Sequence, residues 1–144
     1  MKPTTDTNEK LRAPILSIIT SCKGRLEHLK QSLPSMLDQD DCEVVVVDFS
    51  CPQGVATYVQ ENFPSARVAC IPDRTDFAIC EARNAGAAHS TGKWLAFVDA
   101  DTILTPNALS SFVQTLPAKS FAKFGKGSDL KTHKLTASVL SKNS

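Results

Sequence analysis

Two aspartates one residue apart, Asp99 and Asp101, follow directly on the apolar run Trp94-Leu95-Ala96-Phe97-Val98. Packing explains such a pair poorly, because burying two carboxylates is costly unless something pairs them. A hard divalent cation suits them, since Mg²⁺ and Mn²⁺ take carboxylate oxygens and keep positions open for a diphosphate. The plainer reading is that one of the two caps the following turn. Asp48 closes a second apolar run that contains four consecutive valines. A carboxylate there can accept hydrogen bonds from a bound base or ribose, or can simply stabilise the turn it begins. Arg25 and Arg83 carry guanidinium forks suited to a diphosphate or nucleobase, and each alone is also an ordinary ion-pair residue. Asn84 and Gly86 lie in an alanine-rich segment, where the glycine permits close approach of backbone to ligand or sheet. His28, His89 and His133 are scattered and read as solvated. No Ser-His-Asp order, nucleophile elbow, P-loop lysine or dinucleotide glycine fingerprint is present.

The elements that must position these residues follow from hydrophobic period. Residues 15–20 form a β-branched run, after which Leu26, Leu29, Leu33, Met36 and Leu37 step by three and four, with Pro34 bending or ending that helix. Residues 43–49 show no polar alternation, as expected of a strand covered on both faces of a parallel sheet. A helix over residues 55–63, a strand over 66–71, a helix over 81–88 and a strand over 94–98 come next. Thr105-Pro106 reads as the N-cap and first position of a last helix reaching residue 116. This βαβαβαβα order predicts an α/β fold with a mostly parallel, Rossmann-like sheet and helices on both faces. Ligands in such sheets bind at the carboxyl ends of the strands, so Thr20, Ser21, Arg25, Asp48, Asp99 and Asp101 are expected to line one crevice.

The chain has 144 residues, enough for one domain, and its net charge of +1 with 22% charged residues excludes a bulk electrostatic case for nucleic acid. No apolar run approaches the length that spans a bilayer, and no basic start leads into an apolar signal region. The expected compartment is the cytoplasm, including the inner face of the membrane. Cys22, Cys42, Cys51, Cys70 and Cys80 form no C-x-x-C pair and are expected as reduced thiols in or beside the core.

Residues 15–25 (ILSIITSCKGR), 44–54 (VVVVDFSCPQG), 81–86 (EARNAG) and 92–102 (GKWLAFVDADT) together resemble the family 2 glycosyltransferases, inverting enzymes of GT-A fold. The resemblance spans residues 14–116. It implies that Thr20, Ser21 and Arg25 form the first-strand nucleotide-binding segment and that Asp48 recognises the base, usually uracil. Phe49 stands where the family often carries a second acid. Arg83, Asn84 and Gly86 match the segment near the nucleotide and donor sugar. Asp99 and Asp101 match the D-x-D, with Asp101 the direct ligand of Mn²⁺ or Mg²⁺ and Asp99 nearer the ribose and metal-bound water. The implied activity is metal-dependent, inverting transfer of a sugar from a nucleotide-sugar donor, UDP being the expected nucleotide, to a hydroxyl of a glycan or other acceptor.

The remainder departs from that pattern. Residues 1–13 are polar and expected as a disordered lead. Residues 1–116 hold 10 Lys+Arg against 14 Asp+Glu, whereas residues 117–144 hold 6 against 1. This basic tail shows no period strong enough for further sheet, with a short helix over residues 135–140 as its one expected element, and it is expected to be mobile or loosely packed. Asp129 is its sole carboxylate side chain, so no general base for the acceptor hydroxyl is identifiable. The sequence is therefore expected to be truncated after the D-x-D, and a non-catalytic nucleotide-binding module, completed by a partner chain, is the alternative. A haloacid-dehalogenase-like phosphatase needs Thr or Val where Ile103 stands.

Overall fold

The computed structural model describes residues 14–115, together with the backbone of residues 121–124 and 137–141. Its elements are β1 (Leu16–Cys22), α1 (Leu26–Leu37), β2 (Cys42–Phe49), α2 (Val55–Asn62), β3 (Arg67–Ile71), α3 (Ile79–Ala88), β4 (Trp94–Val98), α4 (Ala108–Val113), β5 (Phe121–Phe124) and β6 (Ala137–Ser141). They build one six-stranded sheet in the order β3-β2-β1-β4-β6-β5. Strands β1 to β4 run parallel, with Ile18 paired to Val44 on one side and Ala96 on the other.

The valine run explains why β2 lies inside the sheet: Val44 to Val47 are all fully buried, and alternate ones face opposite layers. Leu16, Ile18, Val44, Val46, Ala96 and Val98 face a layer made by Leu29, Leu33 and Met36 of α1, Val55 and Val59 of α2, and Leu109 and Val113 of α4. Ile19, Val45, Val47 and Leu95 face helix α3 through Ala82 and Ala85. Each fully buried aliphatic side chain contributes about 1.5–3 kcal/mol. Helices therefore cover both faces, as the sequence predicts. Gly86 explains the close approach of α3: a Cβ there would run into Ile19 Cγ2 and come within 3.2 Å of Val47 Cγ2.

Four expectations need correction. Of the two outcomes expected at Pro34, a bend or an end, the end does not occur: helix α1 continues to Leu37, although the proline withholds one helical donor. Helix α4 starts at Ala108, with Asn107 rather than Thr105 at its N-cap in the left-handed region (φ 56°). Its first-turn N–H groups find their acceptor elsewhere: Leu109 and Ser110 donate to Gln39 Oε1 at 3.0 and 3.3 Å. The tail also adds sheet, since β6 pairs antiparallel along the whole of β4 and with β5. Residues 137–141 are thus a strand, not part of a helix, because pairing there covers the exposed ladder of β4. Finally, Cys70 and Cys80 are exposed rather than core residues. Burial pushes the Cys22 thiol up to about 12, and Cys42 likewise with help from Asp41 and Asp40. The expected lead over residues 1–13 and His133 lie outside the described residues.

Candidate functional site

The carboxyl ends of β1 and β4 open into a cleft of about 380 Å³ lined by Ser21, Lys23, Arg25, Phe77, Ile79, Asp99, Ala100 and Asp101. Helix α1 holds the aspartate loop from below. Ser32 Oγ donates to the Ala100 carbonyl at 2.5 Å, Ser35 Oγ accepts from the Leu104 N–H at 2.9 Å, and the Thr102 N–H closes the turn on the Asp99 carbonyl at 3.0 Å. These bonds fix the backbone between two carboxylates while leaving Asp101 exposed. Arg25, at the N-cap of α1, reaches across to Asp101 with 3.6 Å between Nη1 and Oδ2. Both side chains remain about half exposed (56% and 48%), so water screens this pair and its net stabilisation is small.

The cleft therefore gathers four of the nine residues singled out in the sequence: Ser21, Arg25, Asp99 and Asp101. Thr20, one position earlier on β1, is buried, and its hydroxyl meets no hydrogen-bond partner among the described residues. Asp48 lies at the same sheet edge, opposite Cys22, but outside the cleft lining. Its oxygens accept from the N–H groups of Cys51 at 2.8 Å and Ala56 at 3.3 Å, which holds the β2–α2 turn and caps α2. Arg83 places its guanidinium 5.4 Å from the ring centre of Phe97, two positions before Asp99. Asn84 is exposed on α3, and Gly86 is buried against the sheet.

Three cleft residues escaped the sequence reading. Lys23 directly follows β1, and a cation at that point was a usable signal. Its Nζ donates to the carbonyls of Phe49, Ser50 and Arg74 at 3.3, 3.3 and 3.0 Å, joining three loops. Phe77 and Ile79 are large apolar residues with 46% and 38% exposure, at and just past the loop between β3 and α3. Their signal was the absence of any strand or helix period to account for them.

The donor set fits a divalent cation of the Mg²⁺ or Mn²⁺ type. Two carboxylates share the cleft, and among the described residues no group of three or more His, Cys, Asp and Glu side chains is placed to hold a metal, there or elsewhere. Mg²⁺ characteristically takes one or two protein carboxylates and completes its shell with phosphate oxygens and water.

Comparison with known proteins shows the family and the fold. A curated protein of Haemophilus influenzae described as an uncharacterized glycosyltransferase is 31% identical over 104 residues, covering 71% of this chain and 34% of its own length. The mannosyltransferase PcManGT of Pyrobaculum calidifontis, solved with GDP-Man and Mn²⁺, superposes with a TM-score of 0.70 at 18% identity, over 91% of this chain and 45% of that one. Staphylococcus aureus TarS residues 1–349 match with a TM-score of 0.59 at 21% identity, over 69% and 31%. The chain thus spans about a third to a half of the length of these proteins. The solved structures share the GT-A fold expected from the sequence. Residues 17–122, most of the chain, match the family model Glycosyl transferase family 2, and the chain belongs to that family.

Proposed function

We propose that this chain binds a nucleotide-sugar donor in the cleft, with a divalent cation, and presents the sugar for inverting transfer to the hydroxyl of a glycan or other acceptor. The observation that carries the reading is the juxtaposition of Asp99 and Asp101 with Arg25 and Ser21 in one cleft at the carboxyl edge of the sheet. The complex of PcManGT with GDP-Man and Mn²⁺ supports the class of donor and the metal. UDP remains the nucleotide expected from the sequence, and GDP is its competitor.

Asp101 would hold the cation, with Asp99 turned toward the ribose and the metal's water. A cation so held offsets the negative charge that grows on the departing diphosphate. Arg25, paired loosely with Asp101, exchanges that carboxylate for a diphosphate oxygen, where a guanidinium fork forms strong charge-assisted bonds. The Ser21 hydroxyl adds a neutral hydrogen bond to the nucleotide. In the transfer, the acceptor oxygen bonds to the anomeric carbon as the bond to the diphosphate breaks on the opposite side. The hydroxyl proton passes to a base.

Calorimetry with UDP, GDP and their sugars, with Mn²⁺ and with chelator, tests this reading. Metal-dependent binding of one nucleotide is the expected result. Equal affinity with metal and with chelator contradicts it.

A further inference from the structure

The loop between β3 and α3 is held far more firmly than an exposed loop requires. Arg74 bonds Asp76 through two nitrogens at 2.8 and 2.7 Å and Glu81 at 2.6 Å, and its N–H donates to Ser50 Oγ at 2.9 Å. Ser50 in turn donates to the Ile71 carbonyl at 2.6 Å. These contacts bring Phe77 onto Phe49, a fully buried ring at the end of β2, in a T-shaped contact with centroids 5.1 Å apart. Phe49 is flanked by two cations, the Arg74 guanidinium at 5.0 Å and Lys23 Nζ at 5.8 Å. The result is an aromatic ring anchored through Phe49, yet 46% exposed in the wall of the cleft. An exposed, immobilised aromatic is unfavourable to leave in water and favourable to stack against a planar ligand.

We propose that Phe77 is the platform on which the nucleobase of the donor stacks. This rests on the donor reading above and adds a residue and a role to it. The sheet order supplies the direction. Phe77 sits against β2, the two aspartates follow β4, and β1 lies between them. With strands about 4.8 Å apart, the apolar and the acidic ends of the cleft are separated by about 10 Å. A diphosphate at the aspartates therefore directs the nucleoside toward Phe77. Lys23 is no rival anion site at that end, because its ammonium already serves three carbonyls. It is a positioning residue that ties the β1–α1 and β2–α2 loops to the loop carrying Phe77.

The test compares UDP, GDP and inorganic pyrophosphate, each with Mn²⁺, on wild type, Phe77→Ala, Phe77→Tyr and Phe77→Trp. Loss of a base–aromatic stack corresponds to about a tenfold weaker Kd, so Phe77→Ala should lose about that factor for the nucleotide and nothing for pyrophosphate. Phe77→Tyr should stay within about threefold of wild type. In Phe77→Trp, nucleotide should quench a fluorescence that pyrophosphate leaves unchanged; the chain's one natural tryptophan, Trp94, is buried. Nucleotide bound equally by wild type and Phe77→Ala, or pyrophosphate weakened as much as nucleotide, overturns the stacking role alone. Wild type that takes up neither UDP nor GDP overturns the donor reading and the stacking with it.

Discussion

The two edges of the parallel sheet carry the same kinds of polar residue and use them in opposite ways. At the amino edge, Ser17 Oγ donates to Glu43 at 2.6 Å and accepts from the Gly92 N–H at 2.8 Å. Glu43 also accepts from the Thr91 N–H at 2.6 Å and pairs with Arg67 at 3.6 Å, with its own side chain only 14% exposed. Polar groups there satisfy one another within the fold. At the carboxyl edge, Arg25 and Asp101 meet at 3.6 Å and stay half in water, while the backbone beneath Asp101 is tied down. A rigid backbone carrying a pair of half-exposed charges is what an anion or cation site needs; a largely buried carboxylate that accepts several short hydrogen bonds beside a glycine is what a structural clasp needs. Geometry separates the two cases where residue type alone does not.

That contrast breaks first at Gly92. A Cβ there would stand 2.6 Å from Ser17 Oγ and 2.8 Å from the Ser17 backbone nitrogen, so Gly92→Ala forces β1 and β4 apart. We expect a loss of about 3 kcal/mol, read as a lower urea midpoint at unchanged slope. Glu43→Ala comes next, at about 1–3 kcal/mol in the same experiment, because it leaves the buried Ser17 hydroxyl without its acceptor. Asp101→Ala and Arg25→Ala should sit within about 0.5 kcal/mol of wild type, as expected for an exposed pair. A large loss from Asp101→Ala would make the carboxyl edge a second clasp.

The smallest effect concerns pH. Hydrogen bonds from Arg74 hold the Asp76 carboxyl below the usual aspartate value of 3.8. A lowered value means that the Arg74–Asp76 pair is intact above the ordinary aspartate range and is lost only as pH falls through the lowered one. Nucleotide affinity ratios between wild type and Phe77→Ala should therefore stay constant from neutral pH to about pH 5. A ratio that changes across that interval would show the loop held by some other group.

How much of this was legible beforehand follows the physics of each signal. Four parallel strands and three of the helices were readable because each carries a local signal, an apolar period in the first two helices, an alanine-rich run in the third, and unbroken apolar runs in the strands, most plainly the valines of β2. The start of α4 was not, since the group that caps it, Gln39, lies 70 residues from Leu109. Strands β5 and β6 were missed because backbone pairing, of β6 with β4 and of β5 with β6, is a tertiary gain that needs no strong apolar run. Within the site, Asp99, Asp101 and Arg25 were legible as charges with no packing role. Asp48 was legible only as an alternative, base acceptor or turn holder, and its bonds to Cys51 and Ala56 supply the second part. Lys23 and Phe77 each left a weak local signal, but their roles rest on contacts between loops distant in the chain, which spacing along a sequence does not carry.

The most direct measurement of the central claim is nucleotide binding by wild type and Asp101→Ala, each with Mn²⁺ and with chelator, on samples shown by urea melts to be equally stable. The account predicts that Mn²⁺ tightens binding to wild type by at least about tenfold and leaves Asp101→Ala where chelator leaves wild type. An undiminished response to Mn²⁺ in Asp101→Ala would contradict it.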